Sequence, residues 1–191
     1  MSQSEQNRKN SEIESKFPVP DLSTTLERLK SLNAELVQDE MHERNVLFDT
    51  TDQRLLGRAE RLRLRQTGGT IILTYKRTEK RENNIAYREE IETNVSDFDN
   101  ARLIFERLGY QPFFEYEKFR STYQLEGSQI MLDRTPIGSF IEIEGADEAA
   151  INAVAQLLGL DENQKTDKSY TQLFEEWRNA TGYAGRDMVF K

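Results

Sequence analysis

Polar and apolar side chains alternate along several short segments of the chain, and this two-residue period predicts strands. In the first segment, SEIESKF, Glu12, Glu14 and Lys16 share one parity while the apolar side chains occupy the other. Taken alone, a charged strand face of this kind is most simply a solvated one. The same design recurs with both signs of charge on most later segments, which favours a shared role for the charged faces.

About eight segments are predicted as strands, and most of them are joined by short turns. They cover residues 11–17, 35–50, 59–66, 71–76, 85–95, 116–125, 130–133 and 140–144, of which 35–50 is one strand or two halves of one. The turns contain Gly68-Gly69, Gly127-Ser128 and Pro136-Ile137-Gly138, residue types that tight turns favour. Strands connected in this way pair in an antiparallel sheet, and eight of them predict a sheet closed into a barrel.

Three or four helices are predicted between the strands, because apolar residues recur there at helical spacing. The helices are expected after Asp21, after Ser96 or Asp97, from about Asp147 to Leu158, and around Tyr170 to Trp177. Helices need an apolar surface to pack on, so the apolar parity of the strands is expected to face outward and the charged parity inward. The predicted fold class is α+β, an eight-stranded antiparallel closed β-barrel with a charged interior and helices packed outside.

The predicted interior contains ionisable side chains of both signs. Its cations are Lys16, Arg61, Arg63, Arg65, Lys76, Arg88, Lys118 and Arg120, and its anions are Glu12, Glu14, Glu90, Glu92, Asp133, Glu142 and Glu144. Buried charges are stable only when they are paired, hydrated or bound to ions, so this interior predicts a ligand with dense negative charge together with a divalent metal. Arginine and lysine bind phosphate oxygens and carboxylates bind Mg²⁺ or Mn²⁺, so a triphosphate satisfies both sets.

The arginine row in the segment ERLRLRQ is the second strong signal. It places the guanidinium groups of Arg61, Arg63 and Arg65 in one line at intervals of about 7 Å. Like charges in a row are unfavourable unless an anion meets them, and this favours a phosphate-binding role. A solvated arginine face is the alternative interpretation.

Composition narrows the chemistry of the site. The chain has 191 residues, of which 36% are hydrophobic, and this suffices for one domain with a core. The absence of cysteine and the presence of one histidine, His42, exclude disulfides, thiolate or multi-histidine metal sites and a cysteine nucleophile. A metal would therefore be held by carboxylates, which favours Mg²⁺ or Mn²⁺. Asp49 and Asp52 are expected to form a turn rather than to bind a ligand, and His42 is given no role.

Charge and hydropathy also bear on partners and location. The net charge of −8 opposes nucleic acid as the main partner. No apolar run approaches the ~18 residues needed to cross a bilayer, so no membrane association is expected. The start, MSQSEQNRKN, lacks the hydrophobic region of a signal peptide, and a cytoplasmic location is expected. Residues 1–10 are expected to be a disordered tail, residues 11–176 a single domain and residues 177–191 a C-terminal extension.

The series of motifs resembles the CYTH family, the triphosphate tunnel metalloenzymes, which includes class IV adenylate cyclases, thiamine triphosphatases and inorganic triphosphatases. The resemblance rests on E-x-E-x-K at Glu12 to Lys16, LRLR at Leu62 to Arg65, LTYK ending at Lys76, R-x-E-x-E at Arg88 to Glu92, E-K-x-R at Glu117 to Arg120, LD at Leu132-Asp133, F-x-E-I-E at Phe140 to Glu144 and D-K-S-Y at Asp167 to Tyr170. Together these motifs extend over residues 11 to about 176.

The resemblance implies an eight-stranded tunnel in which basic residues hold the triphosphate and acidic residues hold metal. Phosphate binding is implied for Lys16, Arg63, Arg65, Lys76, Arg88, Arg120 and Lys168. Metal binding, or orientation of the basic side chains, is implied for Glu12, Glu14, Glu90, Asp133, Glu142 and Glu144. Catalytic roles are implied for Glu12, Glu14, Lys16, Glu142 and Glu144. Spacing alone would make Lys168 a surface lysine, and it is included on the motif.

The activity implied in this way is metal-dependent hydrolysis of a triphosphate, whether inorganic triphosphate, thiamine triphosphate or a nucleoside triphosphate, by a monomer or homodimer. The alternative is a class IV adenylate cyclase, which converts ATP to cyclic AMP and pyrophosphate. A cyclase must also recognise adenine, and nothing in the sequence marks an adenine pocket. A non-catalytic polyphosphate- or nucleotide-binding module is the third hypothesis.

Overall fold

Eight antiparallel strands form a closed barrel in this structure, a computed structural model that describes residues 11–191. The strands are β1 (Ser11–Val19), β2 (Glu35–Asp49), β3 (Glu60–Thr67), β4 (Thr70–Glu82), β5 (Ile85–Val95), β6 (Gln111–Leu125), β7 (Ser128–Thr135) and β8 (Gly138–Glu144). Their order around the barrel is β1-β5-β4-β3-β2-β6-β7-β8, and β8 pairs with β1 to close it. The predicted barrel is confirmed, whereas the tail predicted for residues 1–10 lies outside the described residues.

Five α-helices lie in this part of the chain, three of them between strands and two after β8. They are α1 (Ser23–Ser31), α2 (Arg54–Gly57), α3 (Phe98–Arg107), α4 (Glu148–Leu158) and α5 (Tyr170–Thr181), and a 3₁₀ turn covers Glu162–Gln164. Asp97 and Asp147 cap α3 and α4, at the helix starts expected from the sequence, and their carboxylates accept from Asn100 N and Ala150 N. No helix among residues 11–191 combines the length and the apolar character needed to cross a membrane.

The residue that caps α1 and the presence of α2 differ from what the sequence suggests. The N-cap of α1 is Leu22, and Asp21 instead accepts a bond from Ser23 N at 2.8 Å. The short helix α2 was not predicted, and it forms because the buried Asp49 carboxylate accepts from Leu55 N and Leu56 N, both at 2.8 Å. Asp49 therefore organises the turn after β2, as expected from the sequence.

Apolar faces of the strands pack outward against helices, as predicted. One cluster joins β1, β7 and β8 to α1 and α4 through residues such as Ile141 and Leu29. A second joins β2 and β3 to α3, where Phe98 packs beside Val46 and Leu64. Burial of these side chains contributes roughly 1.5–3 kcal/mol each, and it leaves the opposite parity of every strand facing the barrel interior.

The C-terminal segment belongs to the same folded unit. Helix α5 runs across residue 176, so the division between domain and extension predicted there is not a boundary in the structure. Met188 is 1% exposed in a cluster with Phe114, Phe140 and Phe174. Its backbone exchanges 2.9 Å hydrogen bonds with β6, accepting from Glu117 N and donating to Glu115 O. Because Phe114 and Phe140 have inward parity, α5 and Met188 cover one end of the barrel.

The β4–β5 hairpin is longer than predicted, since β4 continues six residues past Lys76 to Glu82. The added segment RTEKRE has no apolar residue, so the alternation of apolar and polar residues could not predict it as strand. Asn83 and Asn84 form its turn with φ of 52° and 58°, a conformation that asparagine tolerates well. The extension brings Arg81 to the start of α5, where its Nη1 donates to Asp167 O at 2.8 Å.

Candidate active site

A cavity of about 610 Å³ occupies the barrel interior, and the charged strand faces line it. All eight predicted cations line it, and so do six of the seven predicted anions, the exception being Asp133. Cross-strand pairing explains the arrangement, because directly opposed residues share a face of the sheet. Lys16 on β1 opposes Glu142 on β8, and Lys76 on β4 opposes Glu90 on β5.

Glu142 lies at the centre of one cluster of cations. Its Oε1 is 2.8 Å from Arg120 Nη2, 3.2 Å from Lys16 Nζ and 3.9 Å from Lys118 Nζ. Burial alone would raise the pKa of Glu142, but Arg120, Lys16 and Lys118 outweigh it and hold that pKa well below its usual range. The carboxylate is therefore ionised at neutral pH.

Asp133 lies behind this cluster rather than on the cavity surface. It is fully buried, and its oxygens accept from Arg120 Nε at 2.6 Å, Lys118 Nζ at 3.0 Å and Tyr170 Oη at 2.5 Å. These contacts are those of a residue that orients the basic side chains, one of the two roles implied for it. Metal binding by Asp133, the other implied role, stays a prediction.

Tyr170 connects helix α5 to the same cluster. Its ring lies under two ammonium groups, with Lys16 Nζ 4.8 Å and Lys118 Nζ 5.1 Å from the ring centroid. Burial and then the charge of Asp133 raise the pKa of Tyr170 well above its usual value, so the hydroxyl stays protonated and donates to Asp133. The last residue of the D-K-S-Y motif thus has a structural explanation.

A second cluster surrounds Lys76. Its Nζ contacts a carboxylate oxygen of Glu12, and it is 2.9 Å from Glu90 Oε2 and 3.7 Å from Glu14 Oε2. Glu14 also forms an ion pair with Arg88. The two glutamates of the first motif are therefore paired with cations from β4 and β5.

The arginine row runs along β3 beside a third set of acceptors. Arg63 Nη2 is 3.4 Å from Glu92 Oε1, and Arg65 Nη2 is 3.3 Å from the same oxygen. Glu92 is further held by Thr74 Oγ1, which donates to it at 2.7 Å. Arg63 also donates to Tyr116 Oη at 3.3 Å. These arginines face the cavity, and this excludes the alternative of a solvated outer face.

Glu144 differs from the other predicted metal-binding carboxylates in its contacts. Within residues 11–191 it forms no ion pair within 4 Å. Burial, and then the charges of Glu12, Glu90 and Glu142, raise the pKa of Glu144 to about 7, although Lys76 opposes this. Several carboxylates close together supply the oxygen ligands that a hard divalent cation prefers, and such a cation would neutralise their charge. No ready-made cluster of three or more metal-ligating side chains is present in the described part of the chain.

Lys168 does not reach the cavity in this structure. Its Nζ is 2.7 Å from Glu176 Oε1 on the outer side of α5, and its side chain is 43% exposed. The neighbouring Ser169, Tyr170 and Thr171 line the cavity instead. Phosphate binding by Lys168, implied by the D-K-S-Y motif, stays a prediction.

Sequence reasoning missed Glu43, a buried carboxylate on β2 that lines the cavity. Burial alone would raise the pKa of Glu43, but Lys118, Arg120, Arg65 and Arg63 together lower it to about 2. Charged residues occupy both parities around it in QDEMHER, so alternation gave no signal there. The pairing of β2 with β3 and β6 could have identified it, since Glu43 opposes Thr67 and Lys118.

Comparison with known sequences gives a consistent set of relatives. The CYTH domain model matches residues 10–170. The chain is 30% identical over 134 residues to a candidate adenylate cyclase of Methanocaldococcus jannaschii, a match that covers 70% of this chain and 75% of the relative. It is 29% identical over 177 residues to adenylate cyclase CyaB of Aeromonas hydrophila, with coverage of 86% and 89%.

Solved structures share the same barrel. A conserved hypothetical protein of Pyrococcus furiosus superposes with a TM-score of 0.74 at 30% identity, covering 85% of this chain and 99% of that one. A Hippeastrum protein described as having a dominant triphosphatase activity superposes with a TM-score of 0.63 at 18% identity, with coverage of 88% and 96%. At that identity the second likeness concerns the fold alone.

Proposed function

Because the chain belongs to the CYTH family, we propose that it is a metal-dependent phosphohydrolase that cleaves a triphosphate bound inside the barrel. The observation that carries the proposal is a single cavity of about 610 Å³ lined by cations and carboxylates together. A triphosphate with a divalent metal provides partners for both sets of charges. Inorganic triphosphate, thiamine triphosphate and nucleoside triphosphates all present this group.

Binding of the triphosphate is assigned to the cavity cations. The proposed phosphate-binding residues are Lys16, Arg63, Arg65, Lys76, Arg88 and Arg120. Each of them contacts a carboxylate, so a bound phosphate oxygen would replace an acceptor that is already present rather than meet an unpaired charge. Arginine can contact two phosphate oxygens at once, and this orients the chain of phosphoryl groups.

The carboxylates Glu12, Glu14, Glu90, Glu142 and Glu144 are the proposed holders of Mg²⁺ or Mn²⁺. When bound, such an ion neutralises phosphate charge and lowers the pKa of an attacking water. Attack in line on the terminal phosphorus builds negative charge on the phosphoryl oxygens, and Lys16, Arg63 and Arg120 stabilise that charge from fixed positions. Asp133 acts as a positioning residue, because it fixes the Arg120 and Lys118 side chains by direct hydrogen bonds.

A class IV adenylate cyclase is the second candidate, and it is favoured by the names of the two sequence relatives. A cyclase must bind adenine and direct the ribose 3′-hydroxyl at the α-phosphorus. The aromatic residues that line the cavity among residues 11–191 are Tyr116 and Tyr170, which are 6% and 7% exposed and pack on each other at 5.8 Å. They offer no free ring face for a base, and this supports hydrolysis over cyclisation.

Product identification separates the candidates. The protein is incubated with inorganic triphosphate, thiamine triphosphate or ATP, each with Mg²⁺ or Mn²⁺, and phosphorus NMR follows the products. The proposal predicts orthophosphate and the corresponding diphosphate. Cyclic AMP with pyrophosphate from ATP would support the cyclase instead. Tight triphosphate binding without any product, under either metal, would support a non-catalytic binding module.

A further inference from the structure

The outer side of helix α3 carries a cluster of exposed apolar side chains. Leu103, Ile104 and Leu108 are 44%, 57% and 68% exposed, and they are three of the seven large apolar residues that are exposed in the described part of the chain. Single exposed apolar residues are common on protein surfaces. Three of them on one side of one helix form a patch, and a patch favours contact with another molecule.

Packing of α3 on the barrel does not explain this patch. Phe98, Ala101 and Phe105 lie on the opposite side of the helix, in one cluster with Val46 and Leu64 of the strands. These three positions recur at steps of three and four residues, which is the spacing of a single helix face. The helix therefore has a complete apolar face toward the strands, and its outer apolar residues are additional.

Opposite charges lie at the two ends of the outer face. Asp99 is in the first turn of α3 and Arg107 is in the last turn, and both are exposed. With Leu103 between them they form one row at steps of four residues, so the three side chains lie along one side of the helix. The ion pair within α3 joins Arg102 to Glu106. Among residues 11–191, Asp99 and Arg107 form no ion pair within 4 Å.

Arg44 lies on the inner side of α3 and has another carboxylate as its direct partner. Its guanidinium carbon is 5.2 Å from the centroid of the Phe98 ring, and its Nε is 2.5 Å from Glu115 Oε1. The hydrogen bond with Glu115 is the largest cause that raises the pKa of Arg44, and the charge of Asp99 is the smallest. Asp99 is therefore not paired with Arg44.

The row on the outer face of α3 is complementary to itself when its direction is reversed. From Asp99 through Leu103 to Arg107 it is negative, apolar and positive. Two copies related by a two-fold axis at Leu103 would run antiparallel, with Asp99 of each copy beside Arg107 of the other. The two Leu103 side chains would then meet at the axis. A parallel arrangement would instead bring like charges together, which is unfavourable.

We infer that the outer face of α3 binds the same face of a second copy of the chain, in an antiparallel two-fold dimer. The self-complementary row is the observation that favours a second copy over a different partner. Helix α3 has ten residues, so the interface is small and the association is expected to be reversible, with a Kd on the order of 10 µM. The inference concerns the outside of the barrel and does not rest on the proposed function.

Sedimentation velocity of the full chain between about 1 and 200 µM tests the inference. The wild type is expected to be mostly monomeric at the lowest concentration and mostly dimeric at the highest. Leu103→Glu places two carboxylates at the two-fold axis and should raise the Kd about 100-fold or more. The matched control is Leu157→Glu, because Leu157 is 41% exposed on a different helix, α4. It should keep the wild-type Kd.

Charge reversal tests the antiparallel geometry itself. Asp99→Lys and Arg107→Glu each create two like-charge contacts in a symmetric dimer, so each variant alone should dimerise about tenfold more weakly. In an equimolar mixture, the introduced lysine of one chain faces the introduced glutamate of the other, and the native Arg107 and Asp99 face each other. The mixture should therefore form a heterodimer with about the wild-type Kd, and native mass spectrometry distinguishes it by mass.

A wild type that stays monomeric at about 200 µM would overturn the inference. A dimer that Leu103→Glu leaves intact, or that Leu157→Glu disrupts, would overturn it as well, since either result places the contact on another surface. A mixture that associates no better than its separate variants would contradict the antiparallel pairing. Circular dichroism establishes that each variant is folded. The outcome does not depend on triphosphate hydrolysis, so it leaves the proposed function to its own test.

Discussion

At the scale of single residues, Glu142 combines deep burial with three cationic neighbours, Lys16, Lys118 and Arg120. Replacing a buried carboxylate with a neutral group affects both stability and catalysis, because the cations that remain lose their partner. Asp133 stays in contact with two of these cations, which limits the structural loss. Glu142 is therefore a position where a loss of function can be separated from a loss of fold.

Glu142→Gln is predicted to lower metal-dependent kcat by about 100-fold or more while the barrel stays folded. The free energy of unfolding should fall by about 3 kcal/mol, because one buried negative charge is removed from its cationic partners. Steady-state phosphate release at saturating Mg²⁺, with circular dichroism on the same samples, measures both effects. The control Glu106→Gln changes an outer carboxylate of α3 paired with Arg102 and should leave kcat unchanged. Wild-type rates in Glu142→Gln would contradict the assigned role.

Glu43 gives a prediction about pH. Its pKa is about 2 in the folded protein and near 4.5 when unperturbed, so its ionised form stabilises the fold above pH 4.5. That contribution is lost as the pH falls from about 4.5 toward 2. Glu43→Gln should therefore lower the free energy of unfolding by about 3 kcal/mol at pH 7 and by clearly less at pH 3.

Urea unfolding of the wild type and Glu43→Gln at pH 7 and pH 3 measures this difference. Glu40→Gln is the matched control, because Glu40 lies on the same strand but in an exposed ion pair with Arg134. Its effect should stay within about 1 kcal/mol. A destabilisation by Glu43→Gln that is the same at both pH values would show that burial, rather than ionisation, explains its contribution.

Single residues also show which parts of the site could be predicted from the sequence and which could not. Alternation assigned Arg63 and Glu90 to the interior correctly, because parity in a strand fixes the face on which a side chain lies. It missed Glu43, since charges on both parities hide the inner face of β2. It could not show that Lys168 pairs with Glu176, because the direction of a side chain in a loop depends on tertiary contacts.

At the scale of elements, the C-terminal segment is the part of the chain whose structure the sequence predicts least well. The apolar residues of GYAGRDMVFK recur at neither helical nor strand spacing. The position of this segment depends on its contacts with β6. Met188 fills a position between Phe114, Tyr170 and Phe174 at the covered end of the barrel. The segment therefore packs on the covered end of the barrel.

Met188→Ala is predicted to lower the free energy of unfolding by about 3 kcal/mol, because it removes a buried side chain and leaves a cavity. Leu108→Ala, at a position 68% exposed, is the control and should change stability by at most about 0.5 kcal/mol. Chemical denaturation of both variants gives the comparison. Equal, small effects would mean that the segment is not packed on the barrel.

The length of the β4–β5 hairpin was also not predicted from the sequence. Its inner half was predicted from alternation around Lys76, whereas its outer half contains only polar residues and lacks a hydrophobic period. The Asn83-Asn84 turn was the remaining local signal. The outer half carries Arg81 to the loop before α5, where it contacts Asp167.

At the scale of the whole molecule, the barrel reverses the usual distribution of charge, with an ionic interior and an apolar outer wall covered by helices. This property followed from sequence, because eight alternating strands with helices between them allow few other arrangements. The order of the strands did not follow from it. Alternation determines which face a residue occupies, but it does not determine that β1 pairs with both β5 and β8.

The crystal structure of the protein with a non-hydrolysable triphosphate analogue and Mn²⁺, with anomalous scattering to locate the metal, tests the central claim most directly. The account predicts phosphate density inside the barrel between the arginines of β3 and Arg120, with a manganese peak beside Glu144. Phosphate density on the outer surface, or a manganese peak remote from the cavity carboxylates, would contradict it.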